Sequence, residues 1–212
     1  MRSAIPKQFL PLAGTPVLFR TIRAFAAVPG MRVVLVLPEA QMSTWNELCQ
    51  TENLGVDVEV AFGGKTRHES VSNGLALWRG ESLVGVHDGV RPLVTPDFIM
   101  SVYAEAFKSG TAIPVLPSVE SVRIVDANGG SHAVDRSTVM MVQTPQVFSS
   151  DILLDAYRQP YSPLFTDDAS VVESNGVAVS LCAGLVGNIK LTTPEDMHSA
   201  EAIIVQCGYL HY

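Results

Sequence analysis

The sequence predicts an α/β protein, a mostly parallel sheet with helices on both faces. Three observations carry that prediction. Short apolar runs alternate with helical patterns along almost the whole chain. Val33-Val34-Leu35-Val36-Leu37 is apolar without interruption, as a parallel strand covered on both faces has to be. Ser82–His87, a second such run, ends at Asp88-Gly89-Val90-Arg91-Pro92. That places a carboxylate, a glycine and an arginine at the carboxyl end of a strand, where open α/β sheets bind ligands. An Asp there takes a hydroxyl or a metal, an Arg forks onto a phosphate, and the plainer reading is a turn with an ion pair.

The elements follow in order. Thr15 reads as an N-cap and Pro16 as the first helical turn, with Leu18, Ile22 and Phe25 at helical spacing and a helix reaching about Val28. Pro29-Gly30 ends it, the Val33–Leu37 strand follows, and a polar helix spans about Gln41 to Gln50. Val56–Phe62 reads as a strand ending at Gly63-Gly64, and the next helix runs to about Trp78. Two glycines at a strand end let a ligand approach the backbone, and the helix start offers free N–H groups. After the Asp88 loop, Thr95 caps a helix to about Lys108, and Thr111–Leu116 is a strand. Val119–Val125, a turn at Asp126–Gly130 and a return through Arg136 read as a hairpin, an arm over residues 118–138 outside the core. Met140–Val142 is expected to re-enter the core and end at Gln143–Gln146. A helix from about Ser149 to Tyr157, a helix start at Thr166-Asp167-Asp168 with Thr166 as cap, a strand over Val177–Cys182, an extended piece at Asn188–Leu191 and a helix from Thr193 complete the chain.

Composition narrows the function. The 212 residues, 47% hydrophobic, fit one sizeable domain with a large core. A net charge of −7 excludes a general nucleic-acid binder, which needs a basic face; positive charge for a phosphate ligand must be local. Cys49, Cys182 and Cys207 show neither paired nor metal-site spacing, and three free thiols fit a reducing cytoplasm. His68, His132, His198 and His211 have no metal-ligand spacing either. No apolar run reaches membrane-spanning length, and no signal peptide precedes the first motif.

Six segments in order carry a resemblance: Pro6-Lys7-Gln8-Phe9, Gly63–Ser70, His87–Pro92, Thr144-Pro145-Gln146, Thr166–Ser170 and Asn188-Ile189-Lys190. Together they resemble the 2-C-methyl-D-erythritol 4-phosphate cytidylyltransferases, from Met1 to the final helix. The resemblance implies a Rossmann-like nucleotidyltransferase fold, Mg²⁺ as cofactor, CTP and a sugar-alcohol phosphate as substrates, and a homodimer built through the protruding arm. The acceptor phosphate attacks the α-phosphorus of CTP and pyrophosphate leaves, so the protein's work is positioning and charge stabilisation.

The same resemblance implies roles. Lys7 sits on the CTP phosphates and Lys190 bears on the α-phosphate. Gly64, backbone groups near Lys65, and Ser70 read the cytosine, with Arg67 beside them or in a surface ion pair. Asp88 holds a hydroxyl or the metal, and Arg91 the acceptor side. Ser121 and Arg136 lie on the arm, with Arg136 on the acceptor phosphate of the neighbouring subunit. Thr166 and Asp167 help hold the acceptor. On the residues themselves, apart from the resemblance, Thr144-Pro145-Gln146 reads as a structural turn beneath the site and His87 as a hydrogen-bonded core histidine, because a phosphate nucleophile needs no base at neutral pH.

Two rivals stand beside this reading. Ribitol 5-phosphate cytidylyltransferases share most of the motifs, and a non-catalytic nucleotide-binding paralogue would keep the fold. The family opens with a strand and a glycine-rich loop just before its Pro-Lys-Gln motif, and here Met1 falls where that loop ends. The expectation is therefore about twenty further residues ahead of Met1 in the natural protein, one strand and one loop in length.

Overall fold

The computed structural model describes residues 5–207, the last by its backbone alone. Met1, the Cys207 thiol and His211 lie outside the described residues. A 3-10 turn at Lys7–Phe9 leads into a two-residue pair of strands, β1 (Pro11–Leu12) and β2 (Thr15–Pro16), and then α1 (Val17–Ala26). Thr15 is thus not the cap: Pro16 holds the N-cap position with extended backbone and no side-chain bond. Pairing with Pro11–Leu12 keeps residues 15–16 extended, and this outweighs the local capping preference.

β3 (Val34–Leu37), α2 (Met42–Thr51) and β4 (Glu59–Phe62) follow, with β3 and β4 parallel. Next come α3 (Arg67–Leu75), β5 (Leu83–Val86), α4 (Pro96–Ser109) and β6 (Thr111–Pro117). Thr95 caps α4 by accepting the Phe98 N–H at 3.3 Å. Gly110 ends that helix at φ +80°, a left-handed position that glycine takes without strain. The arm is a hairpin of β7 (Val122–Val125) and β8 (Ser131–Val134), paired only with each other.

β9 (Met140–Val142) pairs antiparallel with β6, but it does not re-enter the core. Met140, Met141 and Val142 are all exposed, because β9 continues the arm along the outer end of β6. The segment that does enter the core is β10 (Gln146–Ser149), where the sequence pattern predicts a turn and a helix start. It lies between β5 and β6, antiparallel to both. α5 (Ser150–Ala156), α6 (Asp168–Ser174), β11 (Leu181–Ala183), parallel to β6, and α7 (Pro194–Cys207) complete the chain. Asn188–Leu191 forms no strand.

The larger sheet therefore runs β11-β6-β10-β5, with β9 on the end of β6, and is mixed rather than mostly parallel. Strand alternation assigns its two faces. Ala112 and Val147 meet Phe25 of α1 and Phe98, Ile99 and Val102 of α4. Ile113 and Phe148 meet Leu153 of α5 and Val171 and Val172 of α6, with Val71 and Leu75 of α3 against them. The β3–β4 pair has its own core with Leu18, Phe19 and Ile22 of α1 and Trp45 of α2. Between β3 and β5 lies a cavity of about 1010 Å³, lined by Val33–Leu37 on one side and Ser82–Val90 on the other. Neither β3 nor β5 has a strand partner on its cavity side among the described residues.

Candidate active site

The carboxyl end of β5 delivers Asp88 into this cleft. Asp88 Oδ2 accepts Lys190 Nζ at 3.0 Å and Arg91 Nε at 3.3 Å. Burial would raise the Asp88 pKa, but Lys190, Arg67 and Arg91 together hold it below the usual carboxylate value. The group is an anion framed by cations. Arg91 is buried, and its Nη1 donates to the Asn188 carbonyl at 2.9 Å. The fully buried Asn188 in turn donates from Nδ2 to the Thr144 carbonyl at 2.8 Å. Lys190, two residues on, is thereby held within reach of Asp88.

Thr144 does more than turn the chain. Its hydroxyl accepts the Asp88 N–H at 3.1 Å and lies 3.1 Å from His87 Nδ1. His87 Nε2 is 3.3 Å from the Arg91 carbonyl. The Nε2–H tautomer satisfies all three contacts: Nε2 donates to the carbonyl, and the Thr144 hydroxyl donates to Nδ1. Burial pushes the His87 pKa down to about 4, with the Arg91 charge acting in the same direction, so the ring is neutral at pH 7. It is a hydrogen-bonded structural histidine.

The glycine loop closes on itself. Gly64 N–H donates to Ser70 Oγ at 3.0 Å and Lys65 N–H to Glu69 Oε2 at 2.8 Å, while Thr66 caps α3 through the Glu69 N–H. A Cβ on Gly64 would lie 2.2 Å from the Glu69 side chain, so this position requires glycine. Arg67, the first residue of α3, is not in a surface ion pair. It donates from Nη2 to Asp168 Oδ2 at 2.5 Å, and Asp168 is fully buried.

Asp168 is the first residue of α6, and Asp167, not Thr166, is the cap. Asp167 Oδ1 accepts the Ser170 N–H at 2.9 Å, and Ser170 Oγ answers by accepting the Asp167 N–H. Asp167 Oδ2 accepts Gln146 Nε2 at 2.7 Å, and Gln146 Oε1 accepts the Ala169 N–H at 2.8 Å. Thr166 stands beside this cap on the exposed side, one residue before it.

Asp88, Arg91, Lys190 and Arg67 therefore come together, with Ser70 and Arg67 lining the same cavity as Asp88. Lys7 stands on the 3-10 turn anchored by buried Phe9, next to Gln8, which also lines the cavity and donates to Gln41 at 2.6 Å. Ser121 and Arg136 are not part of the cluster in a single chain. Arg136, exposed on the arm, donates to the Val119 carbonyl at 2.9 Å. Sequence reasoning misses Asp168 as a buried partner, and Gln146 as a core side chain bracing α6. The signal for Gln146 is a lone amide opening the apolar run Gln146-Val147-Phe148.

The model of the family described as "IspD: 2-C-methyl-D-erythritol 4-phosphate cytidylyltransferase" matches residues 1–206. The chain belongs to that family. The 2-C-methyl-D-erythritol 4-phosphate cytidylyltransferase of Phocaeicola vulgatus is 50% identical over 205 residues, covering 96% of this chain and 93% of that protein. The enzyme of the same name from Bacteroides fragilis is 48% identical over 205 residues, with the same shares covered. Among solved structures, the cytidylyltransferase from Thermus thermophilus superposes with a TM-score of 0.78 at 31% identity, covering 93% of each chain. The Francisella tularensis enzyme gives 0.79 at 29% identity, again over 93% of each chain. Membership makes this chain a nucleotidyltransferase that uses CTP and a sugar phosphate, with the Rossmann-like fold of its relatives. Its reaction belongs to isoprenoid biosynthesis. No described helix is long and apolar enough to cross a membrane.

Proposed function

We propose that the chain joins CTP to 2-C-methyl-D-erythritol 4-phosphate, releasing pyrophosphate, with the cleft at the end of β5 as the reaction centre. The observation that carries this is the Asp88 carboxylate held between Lys190 and Arg91 at 3.0 and 3.3 Å. A phosphate oxygen of the acceptor attacks the α-phosphorus, and negative charge builds on the equatorial oxygens. Lys190, its side chain 45% exposed, is the cation positioned to meet that charge. Lys7 takes the phosphates of CTP as a point charge. Gly64, the Lys65 backbone and Ser70 read the cytosine edge. Asp88 and Arg91 orient the acceptor with Thr166 and Asp167, and Ser121 and Arg136 approach it from the arm of a second subunit.

Magnesium fits the same cleft. Among the described residues no three His, Cys, Asp or Glu side chains gather to hold a metal alone. Mg²⁺ on a nucleotide, however, needs only one or two carboxylates beside the phosphates and water. Asp88 supplies one, and both of its cations are held by the same oxygen, Oδ2. Bound there, the ion would neutralise charge on the triphosphate. We place the enzyme in the cytoplasm, where the free thiols of Cys49 and Cys182 stay reduced.

The test is Lys190→Ala. Turnover is expected to fall by about a hundredfold or more, the usual loss for one transition-state donor, while CTP affinity changes much less. Near-normal turnover would remove Lys190 from the mechanism. Assaying ribitol 5-phosphate alongside methylerythritol phosphate checks the acceptor.

A further inference from the structure

The first turn of α3 grips the segment that leads into α6 in two ways. Arg67 reaches Asp168 at 2.5 Å, a contact between residues 101 apart in sequence. His68, the next residue, lays its ring on Tyr157 with centroids 4.7 Å apart and planes at 17°, and on Phe165 at 5.5 Å. Tyr157 closes the circle by donating its hydroxyl to Asp168 Oδ1 at 2.6 Å. His68 Nε2 is buried without a hydrogen-bond partner, so stacking rather than polar bonding holds the ring.

The ion pair is asymmetric. Asp168 is fully enclosed, whereas the Arg67 side chain is 37% exposed and borders the cleft that holds Asp88. Burial alone would weaken the Arg67 charge, but Asp168, Asp88 and Tyr157 together strengthen it. One guanidinium thus pairs with a buried carboxylate and lies within the field of the reaction-centre carboxylate. Its backbone stands one residue after Thr66, the cap that closes the Gly64–Ser70 loop. Asp168 stands one residue after Asp167 and two after Thr166.

We propose that Arg67 is a positioning residue for the transfer: it fixes the distance between the nucleotide loop and the acceptor loop by clamping the start of α3 to the start of α6. This rests on the roles given above to Gly64–Ser70 and to Thr166–Asp167. Two polyanions must meet in line, and a misplacement of about 1 Å costs about a hundredfold in rate. A tie directly between the two loops is where such precision is set.

Removing Arg67 alone strands a buried carboxylate and endangers folding. The decisive variant is therefore Arg67→Met with Asp168→Asn, in which both charges go and Tyr157 keeps an acceptor. For the folded double variant, kcat is expected to fall about ten- to a hundredfold and the acceptor KM to rise about tenfold. Direct CTP binding should stay within about threefold, because each loop remains intact by itself. A purely structural pair would lower the melting temperature and leave both kinetic constants within about twofold, and that result overturns the proposal. Thr166→Val tests the underlying reading separately. If it raises the acceptor KM while the double variant does not, the clamp fails and the site assignment stands. If neither moves the acceptor KM, both fail.

Discussion

At the scale of single residues, the centre is built from cations and neutral dipoles around one carboxylate. His87 belongs to the neutral set, and that has a consequence for pH. Its pKa is pushed down to about 4 in the folded protein, against about 6.5 when unfolded. Above pH 6.5 neither state binds the proton, and the folded arrangement keeps its full stability. As pH falls from about 6.5 towards 4, the unfolded chain takes up the proton and the native ring does not, so stability is lost through that window. The loss amounts to up to about 3 kcal/mol. His87→Gln can retain hydrogen bonds but cannot titrate. Its melting temperature should fall less steeply than that of the wild type between pH 6.5 and 4.5. Parallel curves for the two proteins would show that His87 protonates freely in the fold. Asp88 and the glycine loop were legible as positions in the sequence because they follow the ends of β5 and β4, where ligands collect. Arg91 shares the Asp88 loop, whereas Lys190, in a segment that forms no strand, was singled out by the resemblance alone. Asp168 was not, since an acid in a helix's first turn reads equally well as exposed. Only the partner 101 residues away shows that it is buried.

At the scale of elements, local pattern located most helices and strands and failed where pairing overrode it. Thr15-Pro16 has the composition of a helix start, but pairing with Pro11-Leu12 holds it extended. β10 was hidden because its four residues, Gln146–Ser149, run straight into α5 with no turn signal between them. The β3–α2–β4 alternation was plain because an uninterrupted apolar run, a polar segment and a second strand run follow one another. The arm was legible as a hairpin from its Asp126–Gly130 turn, and the structure adds a chemical feature to it. Val119, Ile124, Val125, Met140, Met141 and Val142 are 77, 51, 70, 42, 56 and 44% exposed, a run of apolar side chains on one excursion. Exposed apolar side chains gathered on one excursion fit the expectation of an association surface. A homodimer joined through the arm, with Arg136 reaching the partner's acceptor site, makes a definite forecast. Arg136→Ala and Lys190→Ala subunits, each nearly inactive alone, should regain activity when mixed and allowed to exchange, since one site of each mixed dimer is intact. No recovery despite demonstrated exchange would place Arg136 in its own subunit's site, and a monomer in solution would remove the arm's role altogether.

At the scale of the whole molecule, the sheet is divided. β3 ends one piece and β5 the other, and both present an unpaired edge, among the described residues, to the same cavity of about 1010 Å³. α1 covers that cavity through Leu18, Ile22 and Phe25, and α3 through Val71, Gly74 and Leu75, so it is roofed on both faces as a strand position is. A strand residue rising about 3.3 Å, about 4.8 Å from its neighbours, in a layer about 10 Å thick occupies about 160 Å³. The cavity therefore has room for about six residues of extended chain, and one such segment would pair β3 and β5 at once. Backbone groups on these two edges have no strand partner on the cavity side among the described residues, and a segment that paired with them would satisfy them. A form of the chain carrying about twenty more residues ahead of Met1, an apolar strand and a glycine-rich turn, is thus expected to melt at least about 5 °C higher, which for a protein of this size reflects about 1–3 kcal/mol. It should also release pyrophosphate about tenfold faster or more, since the turn would set backbone N–H groups against the triphosphate. The control is an equally long extension with proline at alternate strand positions, which cannot donate to either edge. Equal melting temperatures and equal rates for all three forms would mean that the two edges are satisfied as they stand and that the triphosphate is not bound beside them.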